Sequence, residues 1–133
     1  MVKLTWERFG VVRECWGCLT EEELESSAMA IQGDARLDDM YYSIHDFSNV
    51  TDFSVSDNGL EFMGARAGVA VQRNTRLKVA FVGDHPVLSK LINAFNDSGL
   101  AAIRIQRFDT LEDARNYVST GVRMIHPLPS SKE

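Results

Sequence analysis

The sequence predicts an α/β fold: a mixed, mostly parallel sheet of about five strands with about four helices, the N-terminal strand being antiparallel. Two observations lead to this class. After an opening pair of strand-like segments, helical and extended periodicities alternate along the chain. Residues 79–83 form a short apolar run, as in a parallel strand covered on both faces. With 133 residues the chain has the usual length of one domain, expected over residues 1–122 with a tail at 123–133.

The first third of the chain predicts a hairpin followed by a helix. Two strand-like segments within residues 4–18 flank Gly10, which we expect to form the turn. Thr20, followed three positions later by Glu23, has the pattern of a capping box and opens a helix over residues 20–32. The apolar residues at helical spacing in this helix are Leu24, Ala28 and Ile31.

The middle of the chain predicts a strand, a polar loop and a second helix. Residues 40–47 alternate between two faces, as expected of a strand covered on both sides. Residues 48–58 are rich in Ser, Asp and Asn, which predicts a loop whose side chains cap the helix that begins near Leu60. One face of the strand carries Tyr42 and Ile44, and the other carries Tyr41, Ser43, His45 and Phe47.

The last part of the chain continues the alternation of strands and helices. Asp84 follows the apolar run and is expected to cap the third helix. Residues 102–108 are more polar, which predicts a strand near an edge of the sheet. Thr110 and Asp113 open the last helix. The residues assigned to the inner faces of these two helices are Leu88, Leu91, Ile92, Phe95, Leu111, Ala114 and Val118.

Charge and composition argue against several classes of function. The formal net charge is −5, so the chain lacks the basic footprint of a nucleic-acid-binding protein, and no nucleic-acid partner is expected. No apolar run is long enough to cross a bilayer, and the first residues lack the pattern of a signal peptide. Two cysteines fit a reducing compartment, so we expect a cytoplasmic protein. No cofactor or metal is predicted, because neither a Gly-rich Lys loop nor zinc-type Cys and His spacing occurs.

The element order and one sequence motif resemble a known family. Residues 46–50 read Asp-Phe-Ser-Asn-Val, and a polar cluster then precedes Gly59-Leu60 and an apolar helix. This arrangement resembles the SpoIIAA-like family, a branch of the STAS fold typified by anti-sigma-factor antagonists. The resemblance covers nearly the whole chain, and it implies a non-enzymatic regulatory module that acts by contact with a protein partner.

The resemblance also points to the loop before the second helix. In signalling STAS proteins this loop usually reads Asp-Ser-Ser-Gly or Asp-Ser-Thr-Gly, and a kinase partner phosphorylates a hydroxyl residue there. This chain reads Ser56-Asp57-Asn58-Gly59, with Asp57 and Asn58 at the two hydroxyl positions, so the usual phosphorylatable residue is lacking. Ser54 and Ser56 stay open as alternative phosphorylation sites. The candidate partner-binding residues are Ser48, Ser54, Ser56, Asp57, Asn58 and Gly59.

An alternative function is the binding of an apolar ligand or a lipid. STAS-like folds are structurally related to SEC14-like lipid-binding folds, which implies that a relative could hold an apolar molecule or lie on a membrane surface. The candidate apolar-ligand residues, expected beneath the 48–58 loop, are Phe47, Phe53, Phe62 and Met63. A local basic patch that could face a membrane is formed by Arg66, Arg73, Arg76 and Lys78.

Two further hypotheses come from individual residues. Cys15 and Cys18 match the C-x-x-C pattern of redox proteins, but they precede the helix instead of opening it, and residues three apart on a strand face opposite sides. Asp46, Asp84 and Asp109 fall near the ends of predicted strands, where carboxylates either attract a cation or form turns and caps. No catalytic residue is assigned, and a homodimer stays open as an oligomeric state.

Overall fold

The computed structural model describes residues 1–97 and 105–119, without the side chains of residues 67, 68, 70, 71 and 95–97. Its strands are β1 (Val2–Trp6), β2 (Gly10–Thr20), β3 (Tyr42–Ser54), β4 (Lys78–Val82) and β5 (Ile105–Phe108). Its helices are α1 (Glu21–Gln32), α2 (Asp57–Arg73), α3 (Pro86–Asp97) and α4 (Leu111–Ser119), and a 3₁₀ helix spans Ala35–Asp39.

The strands form one sheet whose spatial order follows the chain. β1 is antiparallel to β2, and the pairs β2–β3, β3–β4 and β4–β5 are parallel. The predicted α/β class, the mixed sheet and the antiparallel first strand are therefore confirmed. β5 lies at an edge, as its polar sequence indicated, while residues 102–104 of that predicted strand and the predicted tail at 123–133 lie outside the described residues.

The opening hairpin turns earlier than predicted. The turn lies at residues 7–9, where the Glu7 N–H donates to the Gly10 carbonyl at 2.8 Å. Gly10 is the first residue of β2 and not the turn. Glycine is required at position 10 because a β-carbon there would overlap the ring and the carbonyl of Tyr42.

The largest departure from prediction is the length of β3. The segment predicted as a polar loop continues the strand to Ser54, which pairs with Thr20 at the end of β2. The register in this stretch is irregular on both sides of residues 16–17, and Gly17 has a φ of +73°, which glycine adopts without strain. Only residues 55 and 56 separate β3 from α2. The predicted loop is therefore mostly a strand extension.

Helix starts follow their local sequence, with one correction. The predicted caps Thr20 and Thr110 each accept the backbone N–H three residues further on. At α3 the cap is His85 and not Asp84: Nδ1 of His85 accepts the N–H of residue 87 at 3.1 Å. The position moves by one because a proline takes the first helical position, which leaves the preceding residue as the cap.

The two faces of the sheet carry separate cores. One face packs against α1, α2 and α3 and the other against α4. The predicted alternation along β3 is confirmed, since Tyr42 and Ile44 lie on the α4 side and Phe47 on the other. Two assignments are wrong: Tyr41 precedes the strand and packs on the α4 side, and Leu111, in the first turn of α4, is 38% exposed.

Candidate functional site

An arginine lies inside the core between the sheet and α1. Arg13, in the middle of β2, is only 5% exposed. Its Nη1 donates to Ser27 Oγ at 2.9 Å and to the Leu24 carbonyl at 3.2 Å, both on α1. Its Nε donates at 2.9 Å to Nδ1 of His45, the residue paired with it on β3. The guanidinium carbon lies 5.6 Å from the centre of the Phe47 ring.

The hydrogen bond from Arg13 fixes the proton position on His45. Arginine Nε always carries its hydrogen, so Nδ1 of His45 has to accept, and the ring hydrogen lies on Nε2. Nε2 is 2.6 Å from Ser43 Oγ and donates to it. Burial, together with the positive charge of Arg13, holds the pKa of His45 well below its ordinary value. His45 is therefore neutral at pH 7.

This tautomer argues against Ser43 as an activated nucleophile. A histidine that activates a serine removes the hydroxyl proton with an unprotonated ring nitrogen. Here the nitrogen that faces Ser43 already carries a hydrogen, and the other nitrogen is occupied by Arg13. Because its oxygen accepts from His45, Ser43 keeps its own hydroxyl hydrogen available as a donor.

The charge of Arg13 has no acidic partner among the described residues. Its three hydrogen bonds there go to a neutral imidazole, a hydroxyl and a carbonyl. Nη2 donates to none of the described groups. Among the described residues, every side-chain nitrogen or oxygen that is fully buried has a hydrogen-bond partner. Because Nη2 has no partner there, it is not fully buried and borders open space. Burial lowers the pKa of Arg13, yet the ordinary value for arginine is high enough that the group stays charged at pH 7.

The open space beside Arg13 is a cavity of about 100 Å³ between the sheet and the helices α1, α2 and α3. Arg13, Ser43 and His45 form its polar part. The other walls are mostly apolar, and several lining residues, among them Gln32 and Ile105, are partly exposed. Apolar wall residues include Leu24, Ile31, Met63, Val79, Phe81 and Leu91.

The cavity does not lie beneath the predicted loop, and it takes only Met63 from the predicted apolar-ligand residues. Phe47 is buried in the sheet. Phe53, expected in a loop, lies in β3 with its ring 5.7 Å from Phe47 and 4.7 Å from His85. Phe62 is 52% exposed on the outside of α2. Of the four predicted ligand residues, Phe47 and Phe53 therefore pack in the core, and Phe62 lies on the surface.

The start of α2 is tied to α1 through Ser56. The hydroxyl oxygen of Ser56 accepts the Gly59 N–H at 3.0 Å and so caps α2. The N–H and the hydroxyl of Ser56 both donate to Glu21 Oε1 at 2.9 Å, and these hydrogen bonds lower the pKa of Glu21. A β-carbon at Gly59 would overlap the Glu21 carboxylate. A phosphate on Ser56 would face that same carboxylate.

Most other predicted partner-binding residues are exposed. Ser54 ends β3, and Asp57 and Asn58 form the first turn of α2. We define the β3–α2 surface as Ser54, Asp57, Asn58 and Phe62, all of which are exposed. Ser48 is also exposed but lies further back along β3. Exposed aromatic residues are enriched in protein-binding surfaces.

The two cysteines lie on opposite sides of β2. Cys15 is buried, and its burial raises the pKa of the thiol to about 11. Cys18 is exposed, and both cysteines are free. A redox pair of this spacing relies on a thiol of lowered pKa beside its partner, and Cys15 has the opposite property.

The predicted basic patch is partly neutralised by acidic neighbours. Arg66 lies 3.5 Å from Glu25, and Arg73 lies 2.8 Å from Asp38. Fewer free charges are therefore left to face an anionic membrane. Among the described residues, no helix combines the length and apolar character needed to cross a bilayer.

The carboxylates near the strand ends have local roles. Asp46 lies within β3, because the strand is longer than predicted, and accepts from the hydroxyl of Ser48 at 2.6 Å. Asp109 accepts from Arg107 at 2.8 Å, and Asp84 is exposed. Within residues 1–97 and 105–119, no three His, Cys, Asp or Glu side chains come together in a way that could hold a metal ion.

Solved structures with a similar fold include two of SpoIIAA and one of a DUF3478-family protein. The anti-sigma factor antagonist SpoIIAA in its unphosphorylated form matches with a TM-score of 0.62 and 15% identity, over 90% of this chain and 99% of that one. The Bacillus cell fate determinant SpoIIAA in the phosphorylated form matches with a TM-score of 0.61 and 18% identity, over 89% and 99%. A DUF3478-family protein from Shewanella loihica PV-4, with a SpoIIAA-like fold, gives 0.53 and 16%, over 89% and 92%.

The chain has a SpoIIAA-like fold. At identities of 15% to 18% this likeness establishes the fold alone. No protein-family model and no curated protein sequence matches the chain.

The SpoIIAA-like fold brings together a polar group that the sequence did not single out. Arg13, Ser27, Ser43 and His45 come from three different elements, so their contact depends on the strand order and on the position of α1. One local signal was present: Arg13 interrupts the buried side of β2, where its neighbours at positions 11 and 15 are apolar. An inward arginine on a core strand indicates a buried charge that needs partners.

Proposed function

We propose that this chain is a non-enzymatic, STAS-like regulatory module that binds a protein partner through the β3–α2 surface, without the usual phosphorylation switch. The observation that carries the proposal is the exposed ring of Phe62, which lies one helical turn after Asn58 on α2 and is contacted by the guanidinium of Arg66 at 4.7 Å. Exposed aromatic residues in such a setting are frequent centres of binding energy in protein interfaces. The SpoIIAA-like fold supports a regulatory role, since one similar structure is that of an anti-sigma factor antagonist.

Two features support the proposal that this surface is not regulated by phosphorylation of a Ser or Thr hydroxyl. Asp57 and Asn58 stand where signalling STAS proteins carry Ser or Thr. Ser56 already uses its hydroxyl as both donor and acceptor, and a phosphate there would be repelled by Glu21. A non-enzymatic role is supported by the tautomer of His45, which does not suit a serine nucleophile.

A pull-down from cells of the source organism tests this proposal. Wild type is compared with Phe62→Ala, with an Asp57→Ser/Asn58→Ser variant, and with Met29→Ala as a control. Met29 is 52% exposed on α1, much as Phe62 is on α2. We expect one protein to be captured by wild type and the control, and to be lost with Phe62→Ala and changed by the serine variant. Capture that is equal for all four proteins, or no specific capture at all, would contradict the proposal.

A second candidate function is the binding of a small apolar ligand, favoured by the cavity between the sheet and α1, α2 and α3. This keeps the alternative predicted from the sequence but moves its site away from residues 48–58. Native mass spectrometry of freshly purified protein and liposome flotation are direct tests. A co-purifying small molecule would support this function, whereas lipid binding that depends on Phe62 instead of the cavity would point to a membrane surface.

A further inference from the structure

We propose that the cavity binds a small carboxylate with a short apolar chain, and that Arg13 recognises the carboxylate. This inference rests on the second function proposed above and names the class of ligand. Three observations on the cavity carry it: an uncompensated charge, donors without acceptors, and apolar walls of limited volume.

The charge argument starts from Arg13. A guanidinium that is 5% exposed, with neutral partners only, leaves one positive charge in the core without a counter-charge among the described residues. Burying an unpaired charge costs several kcal/mol, and proteins usually place an acid beside it. Since the cavity adjoins this group, a bound monoanion would supply the missing charge. A dianion such as phosphate would bring one negative charge too many.

The hydrogen-bond argument concerns the groups that face the cavity. Nη2 of Arg13 has two N–H groups that donate to none of the described residues. Ser43, also in the cavity wall, keeps its hydroxyl hydrogen because its oxygen accepts from His45. His45 cannot accept from a ligand, since both of its ring nitrogens are occupied. The polar end of the cavity therefore offers donors, which suits a carboxylate better than an alcohol or an amine.

The size argument limits the rest of the ligand. Most of the remaining walls are apolar side chains, so an aliphatic or small aromatic chain fits where a sugar or a second charge does not. A dry cavity of about 150 Å³ takes a six-carbon ring, so the ~100 Å³ here suits about four to six non-hydrogen atoms, as in acetate to butyrate.

The test is an NMR titration of ¹⁵N-labelled protein with sodium butyrate, 1-butanol and sodium phosphate. We expect butyrate to shift the Arg13 Nε–H resonance and the amides of the cavity residues. Its affinity should exceed that of 1-butanol by about ten- to a hundredfold, because hydrogen bonds to charged groups contribute more than neutral ones. Phosphate should leave the cavity resonances unchanged. Titrations from acetate to hexanoate would then locate the preferred chain length.

Two variants separate recognition from a merely structural role of Arg13. Arg13→Met keeps the chain length and removes the charge, and it should lose most of the preference for butyrate while still binding 1-butanol. Arg36→Met is the matched control, because Arg36 is exposed and paired with Asp34 away from the cavity. It should bind both probes as wild type does.

Each outcome decides between the proposals. If wild type binds butyrate and 1-butanol equally, the cavity takes apolar ligands but Arg13 does not select anions, and only the present inference fails. If neither probe shifts a cavity resonance, the inference and the ligand-binding function both fail. The comparison of the two probes on wild type needs no variant, so it holds even if Arg13→Met does not fold.

Discussion

His45 should make the stability of the protein depend on pH in the mildly acidic range. The pKa of His45 in the folded protein lies well below 6.5, because the ring is buried beside Arg13. Below about pH 6.5 the unfolded chain takes up a proton that the folded chain does not, so the free energy of unfolding falls as pH falls, by at most about 1.4 kcal/mol per pH unit. Urea unfolding at intervals between pH 7 and pH 5 measures this slope.

Two of the acids with shifted pKa values act at lower pH. Glu7 and Glu21 have lowered pKa values in the folded protein, so their stabilising effect is complete above their unfolded pKa and is lost only below about pH 4.5. His45→Asn retains an acceptor for Arg13 and should remove the slope that His45 causes. A stability that is flat from pH 7 to pH 5 in wild type would show that His45 is not held neutral.

Cys15 and Cys18 should differ in reactivity because they differ in burial. Cys18 is exposed, whereas Cys15 is buried with a pKa raised to about 11. We expect iodoacetamide at pH 8 to modify Cys18 alone in the folded protein and both thiols in denaturant, as measured by mass spectrometry. An intramolecular disulfide formed under mild oxidation would contradict this and would favour the redox hypothesis.

At the scale of secondary-structure elements, the junction of β3 and α2 depends on Ser56. Ser56→Ala removes the hydroxyl that caps α2 and its hydrogen bond to Glu21, whereas the bond from the backbone N–H stays, so we expect a loss of about 0.5–2 kcal/mol in the free energy of unfolding. Ser54→Ala is the matched control two residues earlier, and an exposed strand end should tolerate it within about 0.5 kcal/mol. Equal effects of the two substitutions in urea unfolding would show that Ser56 is not the cap.

Helix starts could be predicted from sequence because a cap is a local device. Thr20 with Glu23, and Thr110 with Asp113, place all the interacting groups within four residues. The extension of β3 could not be predicted in this way. Beyond Phe47 the strand has no buried periodicity, and its stability comes from pairing with β2, which a local pattern does not contain.

At the scale of the whole molecule, the order of elements predicted the sheet, but the candidate cavity depends on tertiary contacts. Arg13 and His45 are 32 residues apart and meet only because β2 and β3 are parallel neighbours in one register. Ser27 reaches Arg13 because α1 packs on the same face of the sheet. Sequence periodicity places each residue on a face, but it does not say which residues of different elements share a register position.

An ion pair between Glu7 and Arg115 connects the opening hairpin with α4. In the turn after β1, Glu7 accepts from Nη1 of Arg115 at 2.9 Å and from Nη2 at 2.7 Å, and the hydroxyl of Tyr42 donates to the same carboxylate. Burial alone would raise the pKa of Glu7, but the hydrogen bonds from Arg115 and Tyr42 hold it below its ordinary value. The opening hairpin is thereby fixed to α4.

This pair should contribute to global stability and not merely to local order. In a double-mutant cycle of Glu7→Gln and Arg115→Met, we expect a coupling of about 1–3 kcal/mol in the free energy of unfolding, because the contact is two-pronged and about four-fifths buried. The control cycle uses Asp34 and Arg36, a similar ion pair with a far more exposed arginine, which solvent should weaken. A coupling no larger than in the control would mean that this ion pair adds no more to stability than an exposed one, and the expectation would be wrong.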